Sequence, residues 1–161
     1  MKKIMYGVAL LVLAAWGMTV LGHNPSMDVW WWRKQLIFLT GLGSFVLMSL
    51  IMLLAIRPLW LEKRLHGLDK MYRLHKWAGI WAIGLAVGHY LLDLSKDLLQ
   101  VFFERGAKEP RVETFLEVFR GAAKDLGEWS VWILGVMLVI TLWQRFPYHI
   151  WRYAHKTLAV I

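Results

Sequence analysis

The chain contains no cysteine. Disulfides, thiolate metal sites and cysteine nucleophiles are therefore all excluded. Charge is also scarce. Only 19% of the 161 residues are Asp, Glu, Lys or Arg, where a soluble domain carries about a quarter. Acidic residues are the scarcer sign, 11 against 19 basic ones, for a net charge of +8. The charges fall in blocks separated by long uncharged runs, and 58% of the residues are hydrophobic. That pattern belongs to membrane spans and their loops, not to a soluble core. A +8 chain without this patterning would suggest nucleic acid as a partner. Here the basic residues cluster at span ends, where they face lipid headgroups, so the expected partner is a bilayer and no nucleic acid.

Eleven tryptophans agree with this, because Trp collects at the membrane–water interface. Trp30, Trp31 and Trp32 anchor the start of one run, and Trp143 and Trp151 lie near the ends of others.

The first uncharged run, Ile4 to Met27, is long enough to span. Its basic start and the Val20-Leu21-Gly22 stretch also resemble a signal peptide, though the apolar part is long for one. The second span covers Gln35 to Ile56 and stops at Arg57-Pro58. A basic connection follows over 57–76. The third span has its uncharged part from Trp77 to Leu92, and its helix is expected to begin near Tyr72, with Arg73 and Lys76 snorkelling. Residues 93–128 read as a long connection. Within it Val112, Phe115, Phe119, Ala122 and Leu126 recur at helical spacing, which predicts a separate amphipathic surface helix over 111–125. The fourth span is expected over Trp129 to Gln144. Pro147 suits the start of a fifth helix. That helix reaches Ile161 with no polar cap, so the sequence reads as a fragment, or as one part of a split system. Placing the N-terminus inside puts eleven basic residues on the inner side and eight on the outer, which favours that orientation. The expected fold class is all-α: a multi-pass transmembrane helical bundle of four full spans and the start of a fifth.

Histidine placement carries the chemistry. His75 and His89 bracket the third span, 14 residues apart. In an α-helix that separation returns to within about 40° of the same face and rises about 21 Å. One helix thus presents two imidazoles to one neighbour, one near each membrane surface. Haem iron accepts neutral imidazole as an axial ligand, and this spacing suits two stacked haems. A second helix must supply the opposite ligands. His155 on the fifth helix is level with His75 in this topology, and the same spacing places a fourth ligand at position 169, beyond Ile161. Buried ionisable groups in spans are functional by default, which favours His89. The competing reading of each histidine is an interfacial ring without a metal. His23, His66 and His149 are read that way, with His149 the nearest rival to His155. Gly79, Ala82, Gly84, Ala86 and Gly88 either let a flat macrocycle approach or serve tight helix packing.

The stretch Arg57-Pro58, then Gly67-Leu68-Asp69-Lys70-Met71-Tyr72-Arg73-Leu74-His75-Lys76, followed by Gly79 and His89, resembles the ferric reductase-like transmembrane domain, with the bacterial NADPH-oxidase-like predicted ferric reductases as its nearest members. Pro147-Tyr148-His149-Ile150-Trp151-Arg152, with His155-Lys156, resembles the start of that family's fifth helix. The resemblance covers essentially all of residues 1–161. It implies a six-helix domain with two b-type haems: His75 with His155 on the inner one, and His89 on the outer one. It implies FAD and NAD(P)H on a cytoplasmic domain, in cis or as a separate chain, of which nothing is present here. Electrons would pass from that domain through the haems to ferric iron or dioxygen outside, across the inner membrane of a cell. Arg57, Arg73, Arg152 and Lys156 could pair with inner propionates, and Arg33 or Lys34 with outer ones; the competing role of each is positive-inside anchoring. The reductase is not expected to be competent from this stretch alone. Two other readings remain: a haem subunit fed by a separate redox partner, and a non-redox membrane protein whose histidines relay protons or pack.

Overall fold

The structure is a computed structural model that describes residues 2–21, 28–103, 117–143 and 145–157. These residues form six helices and, among them, no strand: α1 Lys2–Leu21, α2 Val29–Ile56, α3 Leu59–Leu65, α4 Leu68–Phe102, α5 Glu117–Leu142 and α6 Tyr148–Thr157. Four are long and apolar enough to cross a bilayer: Lys3–Leu21, Val29–Ile56, Leu68–Phe102 and Gly121–Leu142. The protein is a multi-pass helical membrane protein, and α6 is the shorter helix expected after Pro147. The chain divides into two compact units, Met1–Lys96 and Asp97–Ile161.

The surface explains itself only in lipid. Among the described residues no polar or charged side chain is fully buried, while Leu10, Phe45, Trp81, Leu91 and Val139 are widely exposed. In water this would be an aggregation surface. In a bilayer it is the solvated face, and satisfying the backbone within each helix is what permits the crossing.

In the first unit, α4 presents Met71, Leu74, Ala78 and Ala82 as a buried stripe, repeating every three or four residues as one helix face does. Ala78 and Ala82 have no exposed surface and pack with Leu47 of α2. Small side chains let the backbones approach, and the Ser44 hydroxyl donates to the Ala82 carbonyl at 3.1 Å. Below them Leu54 of α2, Leu61 and Leu65 of α3, and Met71 and Leu74 of α4 form a second cluster, joined by Ile4 and Met5 of α1. The turns around α3 depend on left-handed backbone. Arg57 (φ 53°) closes α2, and His66 (φ 61°) with Gly67 (φ 117°) links α3 to α4. Such dihedrals cost a residue with a Cβ about 1 kcal/mol or more, and Gly67 meets that demand without strain.

Two expectations are corrected in their extent. α4 begins at Leu68 and continues to Phe102, ten residues past the end of the uncharged run. Asp93, Lys96 and Asp97 do not stop it, since charged residues are adequate helix formers outside the apolar zone. Second, there is no separate surface helix from 117 onward. Residues 117–125 are the first turns of α5. The spacing of Phe119, Ala122 and Leu126 runs straight into the apolar stretch with no proline or cap to break it. Residues 111–116 of that expected helix, and Gln144, lie outside the described residues. The first helix is described as far as Leu21, and the remainder of its run, with His23, lies outside the described residues.

Candidate functional site

His89 is half-buried on α4. It stands 18 residues, or about five turns, after Met71, and so continues the stripe that faces α2. Its Nδ1 lies 2.9 Å from the carbonyl oxygen of Ile37 on α2. A carbonyl only accepts, so Nδ1 must be the protonated nitrogen, donating to Ile37. In a neutral ring the lone pair is then left on Nε2. The tautomer follows from the partner's chemistry rather than from a seen hydrogen.

Two neighbouring turns of α2 frame that contact. On one side is Gly41, where an added Cβ would sit 3.0 Å from His89 Nδ1 and 3.1 Å from its Cε1. On the other is Arg33. Its guanidinium donates to the Asp93 carbonyl at 2.8 Å and to Ser95 Oγ at 3.3 Å, and it lies 3.5 Å from the Asp93 carboxylate. Residues 33, 37 and 41 share one face of α2, as 89 and 93 share one face of α4, because each step is four residues. Two antiparallel helices are thus laced across the imidazole.

His75 sits half-buried on α4, about 21 Å along the helix from His89. Exposed Arg73 and Lys76 flank it, and Arg57 lies over the Tyr72 ring at 4.9 Å. His66 is exposed on the α3–α4 turn, against a shallow hollow lined by Leu59, Glu62, Lys63 and Gly67.

In the second unit His155 is half-buried on α6, whereas His149 is exposed. The His155 ring stacks on Trp151, centroids 4.9 Å apart and planes 18° apart. Trp151 stacks in turn on Tyr148 at 5.5 Å and donates its indole N–H to Thr141 Oγ1 of α5 at 2.9 Å. That bond ties α6 to α5 and fixes the plane on which His155 rests. Arg152 is exposed and lies over the adjacent Tyr153 ring at 5.4 Å.

Among the described residues no three His, Asp or Glu side chains converge on a common point. The donors are single imidazoles on separate turns. Sequence reasoning found the histidines but missed Ile37 and Gly41. A backbone carbonyl leaves no signature in a side-chain pattern. The signal that existed was the shared four-residue step of 33, 37, 41 and 85, 89, 93. Arg33, which the sequence offers, as an alternative to Lys34, either as a propionate partner or as an interfacial anchor, has its side chain engaged between α2 and α4.

The family model described as ferric reductase like transmembrane component matches residues 40–161. No curated protein matches, and no solved structure does.

Proposed function

The chain belongs to the ferric reductase like transmembrane component family, and from that premise we propose that it carries electrons across a membrane through two b-type haems. His89 is a ligand of one, and His75 with His155 holds the other. The observation that carries this reading is the fixed tautomer of His89, whose Nδ1 is committed to the Ile37 carbonyl at 2.9 Å. Histidines that bind metal commonly donate their second nitrogen to a carbonyl in this way, which orients the ring and raises its basicity. The residues present therefore fit the group. When bound, haem would supply one-electron chemistry, with the histidine imidazoles as its protein ligands.

The chain's own residues do the rest. His75 and His89 set two sites about 21 Å apart along one helix, which spreads the path over the thickness of a bilayer. His155 rests stacked on Trp151, which sets the plane in which its imidazole would be presented to haem. Exposed Arg57 and Arg73 near His75, exposed Arg152 and Lys156 near His155, and exposed Lys34 on α2 would offer positive charge to haem propionates. The apolar spans keep water from both sites. The N-terminus faces the cytoplasm of the cell, and the electron source is a flavin and NAD(P)H domain there, in cis or on a separate chain. Ferric iron or dioxygen is the external acceptor.

The test is spectroscopic. Protein expressed from the full reading frame with haem supplied is purified in detergent, and reduced-minus-oxidised spectra are recorded. Sharp α and Soret difference bands are expected. Protein that assembles yet carries no haem overturns the proposal.

A further inference from the structure

We propose that Gly41 is a positioning residue for the His89 imidazole, an inference that rests on the reading of His89 as a haem ligand. The Ile37 carbonyl that receives Nδ1 is also the acceptor of the Gly41 amide in the α2 ladder, since an α-helix joins each N–H to the carbonyl four residues back. A carbonyl oxygen has two lone pairs and can take both donors. The second donor can reach it only if the turn above carries no side chain. Residue 41 is that turn, and a methyl there would meet the ring at 3.0 and 3.1 Å, on Nδ1 and Cε1. These contacts fall on the ring itself, which cannot bend away as a side-chain end can. Moving the ring would lengthen the 2.9 Å bond to Ile37.

Two neighbours sharpen the assignment. Gly43 is closer still to its neighbour, with Leu85 Cδ1 2.9 Å from an added Cβ, but that atom ends a flexible side chain and can rotate off. Gly17 on α1 would meet nothing within 4 Å. A Cβ at Gly43 is thus taken up by moving Leu85, whereas one at Gly41 presses on the ring of His89. Positioning of His89 makes Gly41 the more sensitive position. The bond from Arg33 to the Asp93 carbonyl, one turn along, ties α4 to α2 beside the imidazole.

The consequence is electronic as well as steric. The Nδ1–H···O bond makes the imidazole a stronger donor and favours the oxidised iron. Weakening that bond raises the midpoint potential of the one haem ligated by His89. Turning the ring also changes the angle between the two axial imidazole planes, which the g-anisotropy of low-spin ferric haem reports.

Gly41→Ala, Gly43→Ala and Gly17→Ala in the full-length protein test this by electron paramagnetic resonance and potentiometric titration. Gly41→Ala is expected to alter the anisotropy and raise the potential of one haem, or to lose that haem, with the other unchanged. The other two variants should match the parent in both readouts. Two normal haems in Gly41→Ala overturn the inference and leave the haem reading standing. A parent protein without haem removes both. Should Gly41→Ala fail to assemble, it is combined with His89→Ala. Recovery of folded protein with one haem supports the proposed clash, whereas continued failure shows that Gly41 serves something else.

Discussion

Arg33→Met removes the guanidinium that joins α2 to α4 and keeps most of its apolar stem. The loss is one charged hydrogen bond to the Asp93 carbonyl at 2.8 Å, a longer one to Ser95 at 3.3 Å, and an ion pair at 3.5 Å. A hydrogen bond from a charged donor contributes about 1.5–3 kcal/mol, although interhelical bonds in membranes average nearer ~0.6 kcal/mol. The Asp93 side chain is 47% exposed while that of Arg33 is 13% exposed, so the ion pair itself is screened and adds at most about 1 kcal/mol. The freed Asp93 carbonyl keeps its helical amide partner, so no acceptor is orphaned. Arg33→Met should therefore cost about 2 kcal/mol, roughly thirtyfold in the unfolding equilibrium. Asp93→Asn should cost only ~0.5 kcal/mol, because the short contact is to its backbone. Titration from dodecyl maltoside into SDS, followed by circular dichroism, measures both. Asp93→Asn as damaging as Arg33→Met would refute this division between backbone and carboxylate.

Other sites give sharper outcomes. Ala82→Leu places three extra carbons at a fully buried crossing and should destabilise by about 1–3 kcal/mol in the same titration. Trp151→Phe keeps the stack on His155 but loses the bond to Thr141, a change of about 1 kcal/mol; Trp151→Ala should in addition perturb the spectrum of the haem assigned to His75 and His155. His155→Ala should lower haem content where His149→Ala does not, read by pyridine haemochrome. Equal losses in those two would move the ligand assignment on α6.

The spans were legible because uncharged length is a direct consequence of bilayer thickness, and α2 and α4 cover the runs the sequence marks. The helix boundaries were less so. The extension of α4 through Asp93 to Phe102 and the fusion of 117–125 into α5 depend on helix continuity beyond the apolar zone, which hydrophobic patterning does not encode. The histidines stood out because imidazole is rare and costly within a span. Their mutual surroundings did not. The partner of His89 is a main-chain oxygen, and the requirement at Gly41 arises from the distance between two helices 48 residues apart in sequence. Arg33 shows the same limit: its charge suggested an anion partner or an interfacial anchor, and only the antiparallel register placed Asp93 and Ser95 beside it.

Haem stoichiometry in His75→Ala and His89→Ala tests the central proposal most directly. The two positions are about four turns apart, so each substitution should remove one haem and spare the other. Pyridine haemochrome should fall from about two haems per full-length chain to about one in each variant, while His66→Ala, on the exposed turn, keeps both. Retention of the parent's haem content in folded His89→Ala would contradict the assignment of that residue, and retention in both variants would contradict haem-based electron transfer along α4.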